Sequence, residues 1–248
     1  MVISKNTIRY PMDAGLVAGV LRKVTNPPRR GPDKVQLFCG RLDAGRKELT
    51  GRLLAFADLH YINVDEWDMA ISYDYAGTDA VLLLGDICRA YAERIRRAVP
   101  KDIPVLYVLG NHDRWEEYDG LPGVTGLDGR CVAVKSGVRL AGLGGGTRYK
   151  PDEGLAMRTQ KEAKKVIRGL PAADILITHA SPYRMFADDE AHEGFRAIDD
   201  YLRKYRPAYH LFGHNHCSHV EKKGQTACAC IFRCAEIDLG TGKIKEIF

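Results

Sequence analysis

The chain has 248 residues, 45% hydrophobic and 28% charged, with a formal net charge of +5 at neutral pH. This is enough apolar material for one large domain with a substantial core, and no apolar run approaches the roughly 18 residues of a membrane-spanning helix. The charge excess favours anionic ligands but falls short of a nucleic-acid footprint. Seven cysteines, an odd number in a chain of this size, read as reduced thiols and not as a disulfide framework.

In chain order, residues 1–50 stand apart. Their amino-terminal end has no continuous apolar segment behind its charge, so it does not read as a secretory signal, and a cytoplasmic location is the default expectation. Asp13 to Lys23 carries Leu16, Val17, Val20 and Leu21 at helical spacing. Pro27-Pro28-Arg29-Arg30-Gly31-Pro32 breaks any helix, and Lys34 to Cys39 has the composition of a strand. We expect residues 1–50 to be an N-terminal extension packed on a domain of residues 51–248, first of all as cover for a sheet edge.

Beyond residue 50, short apolar runs alternate with amphipathic stretches. Strands are expected at 52–57, 80–84 and 105–109, with a helix at 89–98 and a loop or helix around Asp65, Glu66, Trp67 and Asp68. Val132–Val134 and Val138–Leu143 read as a hairpin around Ser136-Gly137. A glycine-rich loop follows at Gly142–Gly146, then a helix from Leu155 to Arg168, a strand at 174–178, a helix at 195–204 and a strand at 208–212. Strands near 226–233, 235–239 and 244–248 close the chain, the last two joined by a turn at Gly240-Thr241-Gly242. Cys228 and Cys230 would share one strand face; with Cys234 they lack zinc-knuckle spacing and read as buried or half-buried strand residues. Alternating β and α followed by hairpins predicts a mixed-sheet α/β sandwich.

The apolar runs end in polar chemistry. Asp58-Leu59-His60, Gly85-Asp86, Gly110-Asn111-His112-Asp113, His179 and Gly213-His214-Asn215-His216 each follow a predicted strand. The carboxyl ends of strands in an α/β sheet are the usual place for a site. Singly, each block has a structural reading: a helix cap at Asp86, a left-handed turn at Gly110-Asn111, a buried histidine at His179. Jointly they form an all-nitrogen and oxygen donor set suited to borderline divalent ions.

The ordered set Asp-x-His, Gly-Asp, Gly-Asn-His-Asp, His and Gly-His-x-His, over roughly residues 52 to 220, closely resembles the calcineurin-like metallophosphoesterase family. The resemblance implies two mixed β-sheets stacked as a sandwich, flanked by helices, with the site at the sheet ends. It implies two divalent or trivalent metal ions, manganese, iron or zinc. Asp58, His60 and His216 would hold one, Asn111, His179 and His214 the other, and Asp86 would bridge them. The implied reaction is phosphoester hydrolysis by a metal-bridging hydroxide. His112 would protonate the leaving group, with Asp113 bonded to the other nitrogen of its ring. His192, in the loop Asp188–Gly194, and Arg148 and Tyr149, after the glycine run, are candidates for substrate contact with equal claims as surface residues. Arg89 and His210 read as a helix-surface arginine and a core histidine.

Two departures narrow the substrate. The second block continues as Ile87-Cys88-Arg89-Ala90, without the arginine-rich block of the Ser/Thr protein phosphatases, and the third ends in Asp113 where those enzymes have Glu. The chain also leaves little room for the extra domains of related nucleases. A small phosphodiester or nucleotide is therefore the expected substrate, with a phosphoprotein phosphatase, a nuclease of the same fold and a non-catalytic binding scaffold as alternatives. No membrane partner is expected, and nucleic acid is disfavoured without being excluded.

Overall fold

The computed structural model describes residues 36–38, 48–61, 72–187 and 189–248. The expected helix at Asp13–Lys23 and the acidic segment around Asp65–Asp68 lie outside these residues.

Two large sheets form the body. The first has the order β1 (Gln36–Phe38), β15 (Lys243–Glu246), β14 (Arg233–Asp238), β2 (Arg52–Ala57), β3 (Thr78–Leu83), β4 (Val105–Tyr107), β5 (Val124–Gly126). The second has the order β12 (His219–Lys223), β13 (Thr226–Cys230), β11 (Tyr209–Phe212), β10 (Ile175–Thr178), β7 (Arg139–Leu143), β6 (Cys131–Ala133). A short ladder joins β8 (Gly146–Thr147) to β9 (Met157–Arg158). Strands β2 to β5 are mutually parallel, as are β7, β10, β11 and β13, and antiparallel strands flank both sets. The α/β sandwich of two mixed sheets is thus present.

The parallel strands read as continuous apolar runs because both of their faces are covered. Successive side chains point to opposite faces. In β2, Leu53, Ala55 and Ala57 join the core between the sheets, with Leu82 of β3, Ile175 and Ile177 of β10 and Leu211 of β11. Leu54 and Phe56 face outward onto Ala92 and Ile95 of α1 (Arg89–Ala98). On the far side of the second sheet, Leu176 and Phe212 pack against Ala163 and Ile167 of α2 (Gln160–Gly169) and Ile198 and Tyr201 of α3 (Arg196–Tyr205).

The expected hairpin is present as antiparallel β6 and β7, and β1, within residues 1–50, pairs with β15. Other expectations need correction. The helix expected from Leu155 begins at Gln160, because Met157–Arg158 is drawn into the β8 ladder and Thr159 closes a capping box with Glu162. Strands β5 and β12 were not expected; β12 has mostly exposed side chains and is held by backbone pairing to β13. Arg96 donates to the carbonyls of Val99, Pro100 and Ile103 beyond the end of α1.

Candidate metal centre

The five motif blocks leave the carboxyl ends of β2, β3, β4, β10 and β11 and meet at one end of the sandwich. Their backbones interlock. The Asp58 and Leu59 N–H groups donate to the Gly85 and Asp86 carbonyls at 3.1 and 3.0 Å, and the His214 N–H donates to Asp58 Oδ2 at 2.9 Å. Gly213 makes that last approach possible, since a Cβ there would stand 2.8 Å from Ala57 Cβ and 2.9 Å from Asp58 Oδ2. Asp58, Asp86, His214 and His216 all have left-handed backbones, with φ of 57°, 54°, 71° and 49°. Such conformations cost roughly 1–3 kcal/mol each at non-glycine residues and gather where function over-determines the geometry.

The side chains converge acceptor to acceptor. The His179 Nδ1–H donates to the Leu84 carbonyl at 2.8 Å, which leaves Nε2 of the neutral ring as a lone pair. That Nε2 faces Asn111 Oδ1 at 3.0 Å and Asp86 Oδ2 at 3.5 Å. His214 Nε2–H is committed to the Ala191 carbonyl at 2.8 Å, so its lone pair is on Nδ1. Asp58 Oδ1 lies 3.7 Å from His216 Nε2, and the rings of His60 and His216 are 5.2 Å apart. Among the described residues, two groups of His, Cys, Asp or Glu are compact enough to hold an ion, Asp58 with His60 and His216, and Asp58 with Asp86 and His179. Asp58 Oδ1 and Asp86 Oδ2 are buried and accept no hydrogen bond. Buried carboxylate oxygens in that condition are costly unless a cation meets them, and the donor set suits one.

Electrostatics point the same way. Burial, together with the neighbouring Asp86 charge, pushes the carboxyls of Asp58 and Asp113 well above their usual range. Burial works against the Asp86 charge as well, but His179, His112, His60 and the His112 N–H together outweigh it and hold that carboxyl low. Burial lowers His60 and His179, lowers His214 further, and with His60 nearby brings His216 down to about 4. Neutral imidazoles are the form that binds metal.

The remaining candidates divide. His112 is exposed, its N–H donates to Asp86 Oδ1 at 2.8 Å, and its ring stands 5.4 Å from that of His60. The expected bond from Asp113 to the His112 ring does not form; Asp113 Oδ2 instead accepts the N–H groups of Gly110 and Asp86 at 2.7 and 2.9 Å and ties the two loops together. His192 lies against the cluster, its ring 4.6 Å from that of His214 and its Nδ1 2.7 Å from Asp189 Oδ1. Arg148 pairs with Glu162 and donates to the Met157 carbonyl, and Tyr149 is exposed beside Lys150. No hydrogen bond, ion pair or ring contact among the described residues joins Arg148 or Tyr149 to the cluster. Arg89 binds Glu93 and the carbonyls of Glu117 and Asp119, a structural role. The carbonyls of Leu84 and Ala191, which fix the rings of His179 and His214, carry no signal in the sequence, because any residue supplies a carbonyl.

The sequence model of the calcineurin-like phosphoesterase family matches residues 51–218. Among solved structures, the chain is similar to TT1561 of Thermus thermophilus, at 16% identity and a TM-score of 0.58 over 79% of this chain and 97% of that one. It is also similar to the phosphopantetheinyl hydrolase PptH of Mycobacterium tuberculosis, at 13% identity and a TM-score of 0.53 over 75% of this chain and 91% of that one. These likenesses concern the fold. No curated protein matches the chain.

Proposed function

The chain belongs to the calcineurin-like phosphoesterase family, and on that premise we propose that it is a dimetal hydrolase of a small phosphodiester or nucleotide. Asp58, His60 and His216 would hold one ion and Asn111, His179 and His214 the other, with Asp86 shared between them. The observation that carries this reading is the convergence of Asp58 Oδ1, Asp86 Oδ2, Asn111 Oδ1 and His179 Nε2, buried donor atoms for a cation, of which the two carboxylate oxygens have no hydrogen-bond partner. Manganese, iron and zinc all suit such donors. When bound, the ions would supply an activated water and a positive field for the phosphoryl oxygens.

The rest of the work falls to the chain's own side chains. His112, anchored to Asp86 through its backbone N–H and exposed at its ring, is the acid that protonates the leaving oxygen. Asp113 acts one step back, holding Gly110 and Asp86 in register so that Asn111 and His112 are presented together. His192, steadied by Asp189, borders the His214 side and contacts the substrate there. Arg148 and Tyr149 take no part in this reading, since their contacts are with α2 and Lys150. A site bordered by the Gly144–Thr147 and His192 segments favours a compact anionic ligand over a folded partner.

We assign the domain to residues 51–248, beyond the family match, because β13 and β14 pair directly with the site-bearing strands β11 and β2; residues 1–50 are its extension. No described helix is long and apolar enough to cross a membrane. A reducing, cytoplasmic setting is supported by the free state of the six described cysteines.

The test is reconstitution with manganese followed by turnover of bis-para-nitrophenyl phosphate, alkyl diesters and phosphopeptides. Asp86→Ala should lose metal and turnover together. His112→Ala should keep the metals and lose turnover most severely for alkyl leaving groups. Wild-type protein that holds at most one equivalent of metal, or that cleaves phosphopeptides but no small diester, would overturn the dimetal or the substrate part respectively.

A further inference from the structure

One ion pair outside the ligand cluster grips the glycine run that lies behind it. Asp128, in the loop after β5, accepts the Gly144 N–H at 2.9 Å. Arg158, the last residue of β9, donates its Nε–H to the Gly144 carbonyl at 3.0 Å, and its terminal nitrogen closes onto the second Asp128 oxygen. Both backbone polar groups of Gly144 are therefore held by a single carboxylate–guanidinium pair. The guanidinium also sits over Trp115, 4.5 Å from the ring centroid, and the Arg158 side chain is only 14% exposed. A planar fork between an aromatic face and a carboxylate has one orientation, so Gly144 has one position.

The next two residues carry that position to Asn111. Gly145, with φ of +89°, donates its N–H at 2.7 Å to the carbonyl of Leu109, which begins the Gly110-Asn111 turn. Gly146 donates to the Ala156 carbonyl at 2.9 Å, and the Ala156 N–H donates to the Asp113 carbonyl at 2.8 Å. Gly146 lies so close to Asn111 that a Cβ there would be 2.7 Å from Asn111 Cβ and 3.1 Å from its Oδ1. An asparagine side chain has two soft torsions, and Gly146 closes off part of their range. Arg158 thus touches the Asn111 loop through Trp115 and its supporting floor through Gly144.

We propose that Asp128 and Arg158 are positioning residues for Asn111, fixing Gly144–Gly146 as the floor that keeps the Asn111 amide oxygen turned toward His179 Nε2. This rests on the reading of Asn111 as a ligand to one of the two ions. Partners one shell removed from a metal typically set its affinity by about 10- to 100-fold.

Arg158→Met keeps a stem over Trp115 and removes the grip on Gly144 and Asp128; Arg158→Lys keeps the charge without the fork. Calorimetric titration of metal-free protein with manganese should show that Arg158→Met weakens one of two binding events by about 10- to 100-fold and spares the other, with Arg158→Lys between them. In the metal-free protein, the Gly145 amide should exchange with deuterium faster in Arg158→Met, and the Asn111 side-chain amide resonances should shift. If Arg158→Met fails to fold, Asp128→Asn, which retains an acceptor for the Gly144 N–H, carries the same expectations. Equal weakening of both events, or unchanged affinities, overturns the proposal. Wild-type protein that binds no manganese defeats the dimetal reading by itself; unchanged Gly145 exchange and Asn111 resonances in the metal-free variant would then count against the positioning role separately.

Discussion

Gly110→Ala is the smallest change that should dismantle the centre. Gly110 is not in the left-handed region, so backbone strain is not at issue; the space around it is. A Cβ there would lie 2.2 Å from Asp86 Oδ1, 2.6 Å from Asp86 N and 2.7 Å from His179 Cε1. Ordinary contact begins at 3.4 Å, so Asp86 Oδ1 would have to move by about 1.2 Å. It has nowhere convenient to go: it accepts the His112 N–H at 2.8 Å, and the Gly110 N–H is pinned to Asp113 at 2.7 Å. Overpacking of this kind costs roughly 1–3 kcal/mol of stability. Misplacement of a reacting group by about 1 Å costs on the order of 100-fold in rate. Gly169→Ala is the control, since a Cβ at that α2 position meets nothing within 4 Å, and it should stabilise by roughly 0.5–1 kcal/mol. Urea denaturation, manganese titration and diester turnover would be measured on both variants. Gly110→Ala with wild-type stability and both metal affinities intact would refute the argument that the close approach of the Gly85 and Gly110 loops builds the site.

Three further outcomes follow from the geometry. His210 is buried, donates through Nε2 to Thr178 Oγ1, and is depressed to about 3 by burial. The unfolded chain takes up that proton below about pH 6.5 and the folded chain does not until about pH 3, so this residue should remove up to about 1.4 kcal/mol per pH unit as pH falls through that window. The difference between wild-type and His210→Phe stability curves should carry that slope, and parallel curves would contradict it. Chelation should lower the melting temperature, and manganese at about 100 times its dissociation constant should restore on the order of 5 to 10 °C; a melt indifferent to metal would speak against ligands held only in the folded state. Thr159→Ala removes the acceptor for the Glu162 N–H at 3.2 Å. It should cost roughly 0.5–2 kcal/mol in urea denaturation while leaving turnover unchanged, and an activity loss larger than the stability loss explains would show that α2 is coupled to the site.

Much of this protein is written in local pattern. Short apolar runs ending in Asp, Asn and His gave away both the strands and the residue types at their ends, because a strand buried on two faces must be continuously apolar and a ligand must sit where the chain leaves the sheet. The hairpin around Ser136-Gly137 is legible from its turn, where Gly137 takes a φ of 75° between two apolar runs. What sequence could not supply was the destination of each polar group. His214 N–H meets Asp58 Oδ2 across 156 residues of chain, and Asp113, adjacent to His112, turns away from it to hold Asp86 and Gly110. The β12 strand has no signature in the sequence because backbone pairing, not apolar alternation, defines it. The helix starts at Gln160 and not at Leu155 because Met157–Arg158 answers to a distant partner, Gly146–Thr147. Residue type and strand position are set by nearest neighbours and solvent; hydrogen-bond partners, ring orientation and the meeting of buried acceptors arise only when strands far apart in sequence pack side by side.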